Sequence, residues 1–142
     1  MPLNEVFDTF LSIIQDTGLA NMAEEDAVHL LCRWYELAVT RFKECKSDTT
    51  IVTDNDGNLY SVDNLTLEER NIIVYGMLYY WMTQKVNYNR MLRNVINTKD
   101  FNSLSPANIL LRMGELQDYY RKEFFRMRKA YTKRYDGFNG WS

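Results

Sequence analysis

The residues whose types could carry chemistry are few and scattered. The single histidine, His29, has Glu25 four residues before it and Cys32 three after it, a spacing that puts all three on one helical face. Three mixed ligands without a second cluster are a weak metal signature, and an ordinary surface helix explains them better. One histidine with no group to orient it gives neither a Ser-His-Asp nor a Cys-His arrangement, so no catalytic residues and no metal ligands are assigned. Asp54-Asn55-Asp56-Gly57 has the look of the middle of a calcium loop. With Gly57 as sixth position the first would be Val52, which offers no ligand oxygen, and a hairpin turn is the better reading. Glycine patterns for phosphates or dinucleotides are absent, and nothing implies a cofactor. Cys32 and Cys45 are read as reduced packing residues on one helix, roughly 20 Å apart at 1.5 Å per residue, too far to bridge.

Basic residues interleaved with aromatics between Arg112 and Tyr135 are the remaining candidates. Arg121, Arg126, Lys129 and Lys133 could face DNA, with Tyr119, Tyr120 or Tyr131 stacking on bases. The competing reading is a solvated basic face around an aromatic packing stripe, and the three- and four-residue spacing of the aromatics favours it.

These residues need elements to hold them. A chain of 142 residues with 46% hydrophobic and 14% aromatic content is one domain that can bury its own core without staples. No apolar run approaches the roughly 20 residues of a membrane helix, and MPLNEVFDTF lacks the basic start and cleavage site of a secretory signal; a soluble protein made in a cytoplasm is expected. Charge divides along the chain. Residues 1–69 carry 14 acidic and 4 basic side chains, residues 70–142 carry 5 and 13, and the net charge is −2. The halves either neutralise one another within a monomer or meet across subunits.

The expected order is mainly α: a bundle of four to five helices, a small hairpin insertion and a flexible C-terminal tail. Asn4 caps a helix with Val6, Phe7, Phe10, Leu11, Ile13 and Ile14 on its apolar side, ending at Thr17-Gly18. Asn21 with Glu24 opens a second helix that runs to about Cys45. The β-branched run Thr49–Thr53 and Leu59–Val62 flank a two-residue Asp56-Gly57 turn, placing Thr53 opposite Tyr60 and Ile51 opposite Val62 in a hairpin over about 49–62. Thr66-Leu67-Glu68-Glu69 is a capping box opening a nearly continuous apolar helix to Lys85, in which Gly76 marks a close helix approach. Residues 86–102 are an Asn-rich connector with a short helix. Ser105-Pro106 starts a long amphipathic helix over about 106–134, roughly 43 Å. The domain spans 1–135, and residues 136–142 form a flexible aromatic tail built to dock.

Leu65-Thr66-Leu67-Glu68-Glu69 before an apolar helix with Tyr80-Trp81-Met82, then Asn97-Thr98-Lys99-Asp100-Phe101, then Ser105-Pro106-Ala107-Asn108 before the long helix, form an ordered set over residues 65–135. In this set the chain resembles the head-to-tail connector (adaptor) proteins of tailed bacteriophages. The resemblance implies a small helical bundle without enzymatic activity, assembled as a homo-oligomeric ring, commonly of twelve subunits, in the virion neck between head and tail. One surface would meet the portal protein, the other a tail or stopper protein, with DNA passing through the channel without sequence recognition; no membrane is involved. On this expectation Tyr135, Phe138 and Trp141 anchor the tail on the portal, and Ile51, Val52, Leu59 and Tyr60 make subunit contacts. The rival expectation is a small helical nucleic-acid-binding regulator using the basic helix.

Overall fold

The computed structural model describes residues 1–14, 16–96 and 104–140, and within them the side chains except those of residues 17, 89, 91–96, 104–108 and 135–140. The elements are α1 (Asn4–Ile13), α2 (Thr17–Ala20), α3 (Glu24–Arg41), β1 (Ile51–Thr53), β2 (Leu59–Ser61), α4 (Leu67–Ile96) and α5 (Leu104–Gly140). This is the expected helical bundle with a two-stranded antiparallel hairpin.

Helix α4 is the central element. Its run of Ile72, Ile73, Val74, Met77, Leu78, Trp81, Met82 and Val86 is buried because α1, α3 and α5 all pack on it. The capping box forms as the sequence predicts: Thr66 Oγ1 accepts from the Glu69 N–H at 3.1 Å, and a Glu69 carboxylate oxygen accepts from the Thr66 N–H at 2.9 Å. Helix α1 lies against α3 and α4 through aromatic contacts, Phe7 on Tyr35 at 6.4 Å and Phe10 between Trp34 and Trp81 at 5.6 and 6.1 Å. Two indoles in this layer keep their N–H groups satisfied, Trp34 by Gln84 at 3.0 Å and Trp81 by Asp16 at 2.9 Å.

Gly76 is a point of close approach, as expected. A β-carbon there would stand 2.7 Å from Ala38 Cβ and 2.9 Å from Phe124 Cζ. Glycine is what lets α3, α4 and α5 meet at this level.

Several boundaries differ from expectation, each for a local reason. Asn4 is inside α1 rather than capping it, because the preceding residues are claimed by the sheet: Leu3 N–H donates to Leu59 O at 3.0 Å. Thr17-Gly18 does not end a helix but lies in α2, whose start is held by Asp16 accepting from the Leu19 N–H at 3.2 Å. Helix α3 begins at Glu24 after Ala23, with no side-chain cap from Asn21; Glu24, Glu25 and Asp26 in its first turn favour the dipole instead. It ends at Arg41, so Cys45 stands beyond the helix that carries Cys32, and both are free thiols. Residues 86–96 are not an irregular connector: α4 continues unbroken to Ile96. Helix α5 spans Leu104–Gly140, two residues earlier and six later than expected. The glycines near its end do not stop it, since an interior glycine costs a helix only about 1 kcal/mol.

The hairpin register is shifted by one residue. Ile51 faces Ser61, Val52 faces Tyr60 and Thr53 faces Leu59. The turn is a three-residue loop, closed by Asp54 N–H donating to Asn58 O at 3.0 Å, with Gly57 at φ 84°. Asp54 Oδ1 accepts from the N–H groups of Asp56 and Asn58, at 2.9 and 2.8 Å, which stabilises this loop over the two-residue turn.

Candidate interaction surface

Helix α5 turns Tyr120, Phe124 and Tyr131 into the core, and Leu110, Met113 and Met127 pack partly against it. The aromatic stripe is therefore packing, and Tyr119 alone of the three proposed stacking residues is exposed. The opposite side carries the four cations proposed to face DNA. Arg121 pairs with Asp118 at 2.7 Å and Arg126 with Glu123 at 2.6 Å. Hydrogen bonds from these cations hold Asp118 and Glu123 below the usual carboxylate range, Lys122 contributing first at Asp118. Lys129 and Lys133 have no ion-pair partner among the described residues. Leu111, Leu116, Tyr119 and Phe125 are exposed among these charges, Leu111 at 63% and Phe125 at 58%.

The inner side of α5 is fastened to the segment that follows α3. Arg128 Nη1 donates to Arg41 O at 2.6 Å, and its guanidinium stacks 4.4 Å from the Phe124 ring. Phe42 meets Tyr131 edge-on at 5.0 Å. Lys46 N–H donates to Tyr131 Oη at 2.8 Å, and Tyr131 O–H donates on to Glu69 Oε2 at 2.8 Å. Glu69, 1% exposed, also accepts from Ser47 Oγ at 2.7 Å and from the Cys45 thiol at 3.4 Å. The sequence shows Glu69 only as a capping-box residue, and its second role as the acceptor joining three segments has no local signal.

The electrostatics of this cluster follow from its contacts. Burial opposes the Glu69 charge, but the Thr66 N–H, Ser47, Tyr131 and Cys45 donors outweigh it and hold its carboxyl below the ordinary value. Burial, with Glu69 alongside, pushes the Cys45 thiol up to about 12, and burial with the same carboxylate raises the Tyr131 hydroxyl. Burial, then Glu36, raises Cys32 as well. A saturated carboxylate beside a protonated thiol and phenol binds segments together; it offers no nucleophile at neutral pH. Cys45 is accordingly expected to react far more slowly with iodoacetamide at pH 8 in the folded protein than in urea, since about one thiol in ten thousand is then thiolate. Peptide mapping after timed quenching checks this, and equal folded and unfolded rates would contradict it.

The hairpin residues named as subunit contacts lie at one side of the bundle. Ile51, Leu59 and Tyr60 are half-buried and Val52 is exposed. The outer edge of β2 is taken by the chain's own first residues, through Leu3 to Leu59, Ser61 N–H to Met1 O at 2.9 Å and a Pro2–Tyr60 bridge. The hairpin thus leans on its own molecule, tied further by Tyr35 O–H donating to Thr49 O at 2.6 Å. Side-chain positions for Tyr135 and Phe138, and all of Trp141, lie outside the described residues.

Among the described residues no three His, Cys, Asp or Glu side chains gather as a metal site, and no helix is long and apolar enough to cross a membrane. His29 stands exposed on α3, and Asp54 spends its carboxylate on the hairpin loop. No family model matches the chain, and neither a curated protein nor a solved structure is found similar to it.

Proposed function

We propose that this protein is a structural component of a phage virion, a head-to-tail connector that assembles as a ring on the portal and leaves a channel for DNA. The observation that supports this reading is the outer face of α5, where Leu111, Tyr119 and Phe125 are exposed along a single helix. Large apolar side chains grouped in this way suit a surface that a neighbouring protein covers. The sequence resemblance over residues 65–135 supplies the kind of neighbour: a portal on one side, a tail or stopper protein on the other. The reading assigns no catalysis, and it places the protein in the neck of the virion.

The test is the mass of the purified protein, alone and with a candidate portal, by light scattering and negative-stain microscopy. The expected result is a ring, alone or formed on the portal. Deleting residues 136–142 is then expected to abolish portal binding while taking no more than the last five residues of α5 from the helical circular dichroism. A monomer that ignores the portal but binds duplex DNA, with log affinity falling steeply against log salt, would replace this reading with a nucleic-acid-binding regulator.

A further inference from the structure

We infer that the hollow beside Phe125, where the end of α3 meets α5, seats the acidic α1–α3 end of a second copy of this chain, joining copies head to tail. The inference deepens the connector reading by naming a seam between subunits, and its test requires neither portal nor DNA.

The hollow is lined by Glu44, Phe125, Arg128, Lys129, Thr132 and Lys133. Its basic character is a product of the fold. Of the four basic residues in the acidic first half, Arg41, Lys43 and Lys46 lie within residues 41–46. That segment is pinned to α5 at two points, through Arg41 O on Arg128 and Lys46 N–H on Tyr131. Two short basic runs, more than 80 residues apart in sequence, therefore share one surface. The carboxylate in the hollow, Glu44, stands at 4.0 Å from Arg128 and leaves Lys129 and Lys133 unmatched among the described residues. Phe125, 58% exposed between these cations, adds an apolar centre.

The complementary surface is on the same molecule, at the other end of α3. Glu24, Glu25 and Asp26 in the first turn are exposed and make no ion pair among the described residues. Helix α1 runs along α4 in the same direction, Glu5 meeting Arg70 and Phe10 meeting Trp81, while α3 runs against α4, Ala38 meeting Gly76 and Trp34 meeting Gln84. The C-terminal end of α1, with Leu11 and Ile13 exposed, therefore points toward the acidic turn. One end offers carboxylates with aliphatic side chains, the other ammonium groups with a phenyl ring. The 18 residues of α3 separate them by about 27 Å. Joined head to tail, acidic end on basic end, such contacts propagate, closing into a ring or running on as a filament, whereas an antiparallel two-fold pair would stop at a dimer and overturn the head-to-tail order.

The experiment is sedimentation of the full chain up to about 0.5 mM, at ionic strengths of about 0.01 M and 0.15 M, where the Debye length falls from about 30 to 8 Å. The wild type is expected to self-associate at low salt and to weaken at high salt. K129E/K133E has acidic surfaces at both ends and E24K/E25K basic ones, so each alone is expected to stay monomeric with unchanged helical circular dichroism. Mixed in equal amounts, they are expected to associate, because each supplies what the other has lost. A wild type that is monomeric throughout overturns the inference and leaves portal binding to be judged separately. So do reversed variants that still associate, or a mixture that does not. Duplex DNA that binds the wild type but not K129E/K133E, with no self-association, would make nucleic acid the occupant and overturn it as well.

Discussion

Glu69→Ala is expected to destabilise the protein by about 3–5 kcal/mol, because it takes the shared acceptor from several part-buried or buried donors, each costing about 1–3 kcal/mol when left unsatisfied. The carboxylate is the common acceptor for Ser47, Tyr131 and the Thr66 N–H, and bonds to a charged group contribute about 1.5–3 kcal/mol each before non-additivity. Its loss removes the acceptor that stands 2.8 Å from the fully buried Tyr131 hydroxyl. At this chain length about 3 °C accompanies each kcal/mol, so the melting midpoint should fall by roughly 10 °C. Thermal denaturation followed by circular dichroism checks it, and a fall under about 3 °C would mean the cluster is not what fastens α5.

The same carboxylate gives a pH dependence of definite sign. Its pKa is lower folded than unfolded, so its contribution is complete above the unfolded value of about 4.3 and is lost as pH falls through the folded one. Wild-type stability should drop between about pH 4.5 and the folded pKa, and Glu69→Gln, which cannot titrate, should drop less over that interval. Parallel acid limbs for the two proteins would contradict this assignment.

Gly76→Leu is expected to be the most damaging single change in the core, at about 3 kcal/mol or more. Even the β-carbon would lie 2.7 Å from Ala38 Cβ, well inside the roughly 3.5–4.0 Å of a favourable carbon contact. Gly76→Ala separates the two effects at work: helix propensity favours alanine by about 1 kcal/mol, while overpacking between rigid helices costs about 1–3 kcal/mol. A net loss of up to about 2 kcal/mol in urea denaturation is expected. If alanine stabilises the protein instead, the three helices have room to move apart and the packing argument fails. Ala38→Gly should soften the penalty of Gly76→Ala, a coupling read from a double-mutant cycle.

What the sequence showed and what it hid divide by range of interaction. The capping box at Thr66, the burial of α4, the amphipathic pattern of α5 and the close approach at Gly76 were legible because each rests on residues within a few turns of one another. The caps at Asn4 and Asn21 were misplaced because the chain there obeys distant partners or short-range ones of a different kind: Leu3 is fixed by Leu59, and Asp16 rather than Asn21 secures the turn before α3. The hairpin was legible, but its register turned on one side chain, Asp54, folding back on the loop. The surface assembled from residues 41–46 and 125–133 was hidden altogether. A count of charge by halves assigns Arg41, Lys43 and Lys46 to the acidic side, whereas Tyr131 and Arg128 draw that segment to the basic one. The named tail and hairpin residues were chosen by composition; the structure describes side chains for the hairpin residues, and of the tail residues it describes only the α5 backbone through Tyr135 and Phe138.

The extension of α4 past Val86 bears on how the molecule loses structure. Up to Val86 the helix is largely buried against its neighbours, whereas Asn87, Tyr88 and Arg90 beyond it are exposed. The region around Gly76 and Glu69, by contrast, is held by three helices and a polar cluster. Amide protons in the two regions then report two different equilibria: slow, whole-molecule unfolding near the junction, and faster, partial opening along the exposed stretch after Val86 that leaves the rest intact.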